Sequence, residues 1–164
     1  MIKRKILFNI FILLVYNFCN AQKAQNNIAG DYAKSSECLG VELDGSQTIK
    51  SWGMGTRKID AIEQAKKNAV RDVLFKGIRE GQQECNQSPI INSPNTITKN
   101  EEYFYKFFAD NGPYKEFVSM KDTPFKLFHN DKKKGSKGFQ YGVIVRVLRA
   151  ELKNKMIADN ILIP

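Results

Sequence analysis

The segment 57–80 constrains this chain more than any other. Ile59, Ile62, Ala65, Ala69 and Val73 recur at spacings of three and four, flanked by Val70, Leu74 and Ile78, which is the period of a helix with one buried face. Ala61, Ala65 and Ala69 stand one turn apart on it. Their side chains end at Cβ, so a sheet can approach the helix backbone closely, and the pattern predicts a long helix laid on strands. Glu63, Lys66, Lys67 and Arg71 are expected on the wet side. Thr56 is placed to cap the start, and Gly77 and Gly81 mark a fraying end with Gly81 as the C-cap.

Strand signals lie on both sides of this helix. Leu39, Val41 and Leu43 alternate into Asp44-Gly45, a two-residue hairpin signal. Thr48 to Met54 is the expected return strand, with Ile49 and Trp52 available for packing and Gly53-Met54-Gly55 breaking it. After a polar connection over 82–98, a short helix is expected from about Asn100 to Ala109, with Tyr103, Phe104, Phe107 and Phe108 on one face. Asp110-Asn111-Gly112-Pro113 stops it. Tyr114 to Met120 and Phe125 to His129 read as short strands. Phe139, Tyr141, Val143, Val145 and Val147 form the clearest alternation, and Ala150 to about Asn160 closes the chain as a helix with Leu152 and Met156 inward. The expected class is α+β: a small, mainly antiparallel sheet of four to five strands, one long helix packed on one face, and one or two shorter helices.

The N-terminus reads as an export signal. Lys3, Arg4 and Lys5 precede an apolar run from Ile6 to Phe18, and Cys19-Asn20-Ala21 offers small residues for cleavage between Ala21 and Gln22. The run is shorter than the ~20 residues a membrane-spanning helix needs, and no later stretch approaches that length. The expected organisation is a signal peptide over 1–21, a flexible lead-in over 22–37, and a single domain over 38–164 with an insertion at 82–113. Lipid anchoring is not expected, because bulky Phe18 stands where a small residue would precede a lipidated Cys19. Cleavage removes three basic residues and no acidic one, lowering the net charge from +9 to +6. Of the three cysteines, Cys38 and Cys85 then remain. In an oxidising compartment a disulfide between them is the expectation, and two buried free thiols are the alternative.

Chemistry-bearing motifs are sparse. The chain has one histidine, His129, with no nucleophile motif beside it, and Gly53-Met54-Gly55 lacks the third glycine of a dinucleotide fingerprint because Lys58 stands there. No catalytic, metal or cofactor residue is assigned. Lys132, Lys133, Lys134 and Lys137 form a basic loop that would meet an anionic envelope surface or serve as a solvated hairpin tip. The aromatic face of 103–108 reads as core, while Tyr105 falls off that face and is a candidate for surface contact. Paired carboxylates for hydrolysis meet only in the fold, so sequence does not exclude them.

This order of elements resembles an envelope family. A signal peptide, a strand ending in Trp52-Gly53-Met54-Gly55, a long helix with Ala61, Ala65 and Ala69, and the final Tyr141-Gly142-Val143-Ile144-Val145 run are similar to a small bacterial surface-lipoprotein domain. That domain is itself similar to the N-terminal domain of the flagellar assembly protein T. The resemblance spans roughly residues 38–150, and it implies a long helix on a small antiparallel sheet. The SIMPL-type periplasmic domain is a rival resemblance, carried by Gly77-Ile78 near the helix end. Neither contributes catalytic residues. The expected function is an exported, non-enzymatic envelope protein acting as a binding or assembly module. Its partner would be an envelope protein or an anionic envelope surface, and not nucleic acid. The alternatives are a secreted hydrolase acting on cell-wall material, recognisable by carboxylates converging in a cleft, and a carrier of a small apolar ligand, which needs a cavity beneath the aromatic helix.

Overall fold

In the computed structural model, which describes residues 35–120, 133–135 and 138–163, backbone contact between a strand and a helix organises the domain. Strand β1 (Glu37–Val41) turns into β2 (Gln47–Gly55), which feeds helix α1 (Lys58–Arg71). A π-helical turn, Asp72–Lys76, extends α1. Strand β3 (Glu80–Gly81), helices α2 (Pro94–Lys99) and α3 (Glu101–Phe107), a 3-10 turn (Pro113–Phe117) and β4 (Val118–Ser119) follow. Strands β5 (Lys133–Gly135) and β6 (Gly138–Val147) and helix α4 (Arg149–Ala158) complete the order. The sheet runs β3-β1-β2-β6-β4, with β5 also on β6. Every pairing is antiparallel except β1 with β3. The class is α+β, a mostly antiparallel sheet with one long helix across it.

Gly53 and Gly55 do not break β2. They pair with Tyr141 and Phe139 of β6 and face α1. A Cβ on Gly53 would lie 2.1 Å from the Ala61 carbonyl oxygen and 2.4 Å from the Ala65 amide nitrogen. The glycines are therefore the sheet's half of the contact for which the alanine stripe is the helix's half. Ile49 and Ser51 of β2 and Val143, Val145 and Val147 of β6 continue this buried face.

Five local features differ from expectation. Cys38 is the buried residue of β1, whereas Leu39 is half-buried and Val41 and Leu43 are exposed. An irregularity in the β1–β2 register between Cys38 and Gly40 resets the alternation there. The turn is longer than two residues, because the Asp44 carboxylate accepts from the Ser46 amide (3.0 Å) and hydroxyl (2.6 Å) and folds 42–46 around itself. Arg57, not Thr56, is the residue before α1 and pairs with Asp60 at 2.8 Å. Pro113 begins a 3-10 turn where a strand over 114–120 was expected, leaving only Val118–Ser119 extended. The expected helix over 100–109 is α3, and the end of the expected polar connection before it is a further short helix, α2.

The helix end has a non-local cause. Gly77, at φ +75°, ends the π turn, and a Cβ there would lie 2.1 Å from the Gln87 carbonyl oxygen. Gly81 belongs to β3 instead of capping the helix. The Ile90 and Ile91 amides donate to the Val73 and Leu74 carbonyls at 3.0 and 2.8 Å, so the segment after β3 satisfies groups that a helix end leaves open. Cys38 and Cys85 are joined (S–S 2.05 Å), which ties this segment to β1.

The 82–113 segment packs into the same core as the sheet. Phe104, Phe107 and Phe108 are buried with Tyr114, Phe117, Leu152 and Met156. Phe75 meets Phe104 edge-on at 4.8 Å, and Phe107 stacks on Phe117 at 6.0 Å. The expected strand over 125–129, the cleavage residues Ala21 and Gln22, and most of the lead-in lie outside the described residues.

Two outcomes follow for stability. Gly53→Ala and Ala65→Leu each overpack the strand–helix contact and lower unfolding free energy by about 1–3 kcal/mol in urea titrations. Reducing the bridge, whose cysteines are 47 positions apart, costs about 4 kcal/mol by loop-closure entropy, and alkylation without reductant leaves the intact mass of the folded domain's two cysteines unchanged.

Candidate functional site

The end of β2, one flank of α1 and the turn after α3 enclose a groove of about 410 Å³. Asp60, Gln64 and Lys67 recur at spacings of four and three on α1 and so share one flank. Glu63 joins them, Met54 comes from β2, and Asp110, Asn111, Tyr114 and Lys115 face them from the turn. The expectation that Lys67 and Arg71 lie on a wet face is overturned: the residues are 8 % and 6 % exposed. The turn after α3 covers this flank, placing the Lys67 ammonium 5.5 Å from the Tyr114 ring centre and the Arg71 guanidinium 5.7 Å from that of Phe108.

Each carboxylate here is held by a cation. Asp60 accepts from Arg57 at 2.9 and 2.8 Å, and that hydrogen bonding holds its pKa below the ordinary value. Asp110 accepts from Lys67 at 2.8 Å and is likewise lowered. Glu63 accepts from Lys66 at 2.7 Å and lies 3.9 Å from the Lys115 ammonium. The buried Tyr114 hydroxyl donates to Glu63 at 3.4 Å, and its pKa is raised by burial and by that carboxylate. Three carboxylates thus converge in one cleft, and hydrogen bonds from cations lower the pKa of Asp60 and Asp110.

A second recess, about 310 Å³, lies at the π turn and is lined by Ser35, Ser36, Asp72, Lys76, Gly77, Arg79 and Glu80. Asp72 is buried, and desolvation raises its pKa against the hydrogen bonds from Ser36 that favour the charged form. Ser36 in turn bonds the Ser51 hydroxyl at 3.1 Å.

The residues singled out in the sequence fall in different places. Cys38 and Cys85 form the buried bridge. Tyr105 is 40 % exposed on α3 and lines neither recess. The backbones of Lys133 and Lys134 belong to β5, opposite Gln140 and Phe139, so part of the basic run is strand and not loop tip. Lys132, Lys137 and His129 lie outside the described residues. The space beneath the aromatic helix is filled by Phe104 and Phe107. Among the described residues no three His, Cys, Asp or Glu side chains gather as a metal site, and no helix is long and apolar enough to cross a membrane. Sequence reasoning missed Lys67, Asp110, Tyr114 and Asp72. Asp72 alone carried a local signal, a carboxylate set among the apolar helix positions Val70, Val73 and Leu74.

Compared with known proteins, the chain matches no family model, no curated protein and no solved structure.

Because burial raises the Asp72 pKa, the folded state holds this proton more tightly than the unfolded chain does. Its contribution to stability is complete below the unfolded value of about 4 and is lost as pH rises through the folded value. Asp72→Asn is therefore expected to unfold at a higher temperature than wild type at pH 7, with the gap closing toward pH 4. Parallel melting curves across that range test it, and a variant less stable at pH 7 contradicts it.

Proposed function

We propose that this chain is an exported, non-enzymatic envelope protein that acts as a binding or assembly module. Its docking surface is the groove between α1 and residues 110–115. The observation that carries this reading is the state of the groove's carboxylates. Three of them meet there, as in a hydrolase cleft, yet Asp60 and Asp110 are held by cations below the ordinary carboxylate range. A general acid working near neutral pH needs the opposite shift. Fixed, paired charges beside Met54 suit recognition instead of proton transfer. The Cys38–Cys85 bridge supports export, since such bonds persist in oxidising compartments. The N-terminal pattern and the resemblance to surface-lipoprotein and flagellar assembly domains point the same way. A secreted hydrolase is the second reading, favoured only by the convergence of the three carboxylates. Carriage of an apolar ligand is disfavoured by the filled space under Phe104 and Phe107.

A photo-crosslinking residue at Asn111, with one at exposed Glu84 as control, tests the proposal in cells. The expected result is one reproducible envelope partner captured from position 111 and not from 84, by a chain whose N-terminus is Gln22. A chain that keeps residues 1–21 in the cytoplasm, or equal capture from both positions, contradicts it.

A further inference from the structure

We infer that Asp110 is an internal stand-in for a carboxylate of the partner, and that the groove recognises an acidic side chain presented on a peptide segment. The inference rests on the binding-module reading and names the partner's chemistry. The two members of the Lys67–Asp110 pair are unlike: the Lys67 side chain is 10 % exposed and that of Asp110 is 96 % exposed. Lys67 is fixed, with its stem buried in α1's covered flank and its ammonium near the Tyr114 ring. Asp110 reaches it from solvent at the end of a turn. A buried ammonium requires an anionic partner, while an exposed carboxylate gives up such a contact at little cost.

Displacing Asp110 changes the charge of the groove. Among the residues that line it, Lys67 and Lys115 then stand against Asp60 and Glu63. Asp60 is taken up by both nitrogens of Arg57, and Glu63 is shared between Lys66 and Lys115. The unmatched cation is Lys67, at the floor. A carboxylate entering there meets a ready ammonium, with Asn111 and Lys115 at the rim. Two features favour a peptide as its carrier. Met54 lines the groove and Ile59 stands one turn before Glu63, and both are exposed, offering apolar surface to the acid's neighbours. The net charge of +6 that remains once residues 1–21 are removed steers acidic partners toward it.

The test uses the intact, disulfide-bonded chain and an end-blocked pentapeptide with one central glutamate flanked by leucines, followed by calorimetric titration. Its glutamine counterpart and free acetate serve as comparisons. The expected result is binding of the glutamate peptide at least tenfold tighter than of the glutamine peptide or of acetate. Asp110→Ala, which removes the competitor, should tighten the glutamate peptide at least fivefold. Lys67→Met in that background should abolish binding, and Lys67→Arg should restore part of it. Should Lys67→Met not fold, the wild type still decides: amide resonances of Asp110, Asn111 and Lys115 shift with the glutamate peptide and not with the glutamine peptide. An Asp110→Ala affinity equal to wild type, binding that survives Lys67→Met, or acetate binding as tightly as the peptide each overturns the inference. Crosslinking from Asn111 together with such a failure would remove the carboxylate claim alone, whereas loss of both would remove the module reading as well.

Discussion

The contact between the β2 glycines and the α1 alanines is the constraint on which the rest of the domain depends. With Gly53 against Ala61 and Ala65, the helix backbone lies on the sheet with no side chain between them. Dispersion and exclusion of water then act along the whole length of α1. This contact fixes which flank of α1 is left over, and that flank is where 103–117 packs. Lys67 and Arg71, charged residues on that flank, become covered, and each finds an aromatic face, with the Asp110 carboxylate also bonded to Lys67. The groove is thus a consequence of the way the helix is seated.

A second constraint operates at the other end of α1. The π turn leaves the Val73 and Leu74 carbonyls to accept from Ile90 and Ile91, and Gly77 lets the chain double back under Gln87. The bridge from Cys38 to Cys85 and the Gln47 amide bonded to the Asn86 carbonyl at 3.2 Å hold the same segment from the β1 side. Asp72 sits at this junction with Ser36, a buried carboxylate that a structure optimised only for stability would replace.

Much of the fold was legible because it is periodic and local. The alanine stripe announced a helix lying close on a sheet, the 139–147 alternation the clearest strand, and the aromatic spacing at 103–108 a core helix. The two cysteines of the domain were legible as a pair by count. What escaped was set by contacts distant in sequence. No local rule could tell that Gly77, and not Gly81, ends the helix, because the deciding atom is the Gln87 carbonyl. The alternation of Leu39, Val41 and Leu43 pointed to the wrong face, because the register irregularity beside Cys38 resets it. Lys67 looked solvated because its cover, Tyr114, lies 47 positions away in the chain. The groove joins residues near 54, 60–67 and 110–115, so it had no sequence signature.

Amide hydrogen exchange of the purified chain, with and without an envelope fraction, tests the central claim most directly, since it reads every face at once. Slowed exchange is expected over 110–115 and the first three turns of α1, with 82–91 unchanged because none of its residues lines the groove. Slowing confined to a surface away from the groove, or no slowing anywhere, would contradict it.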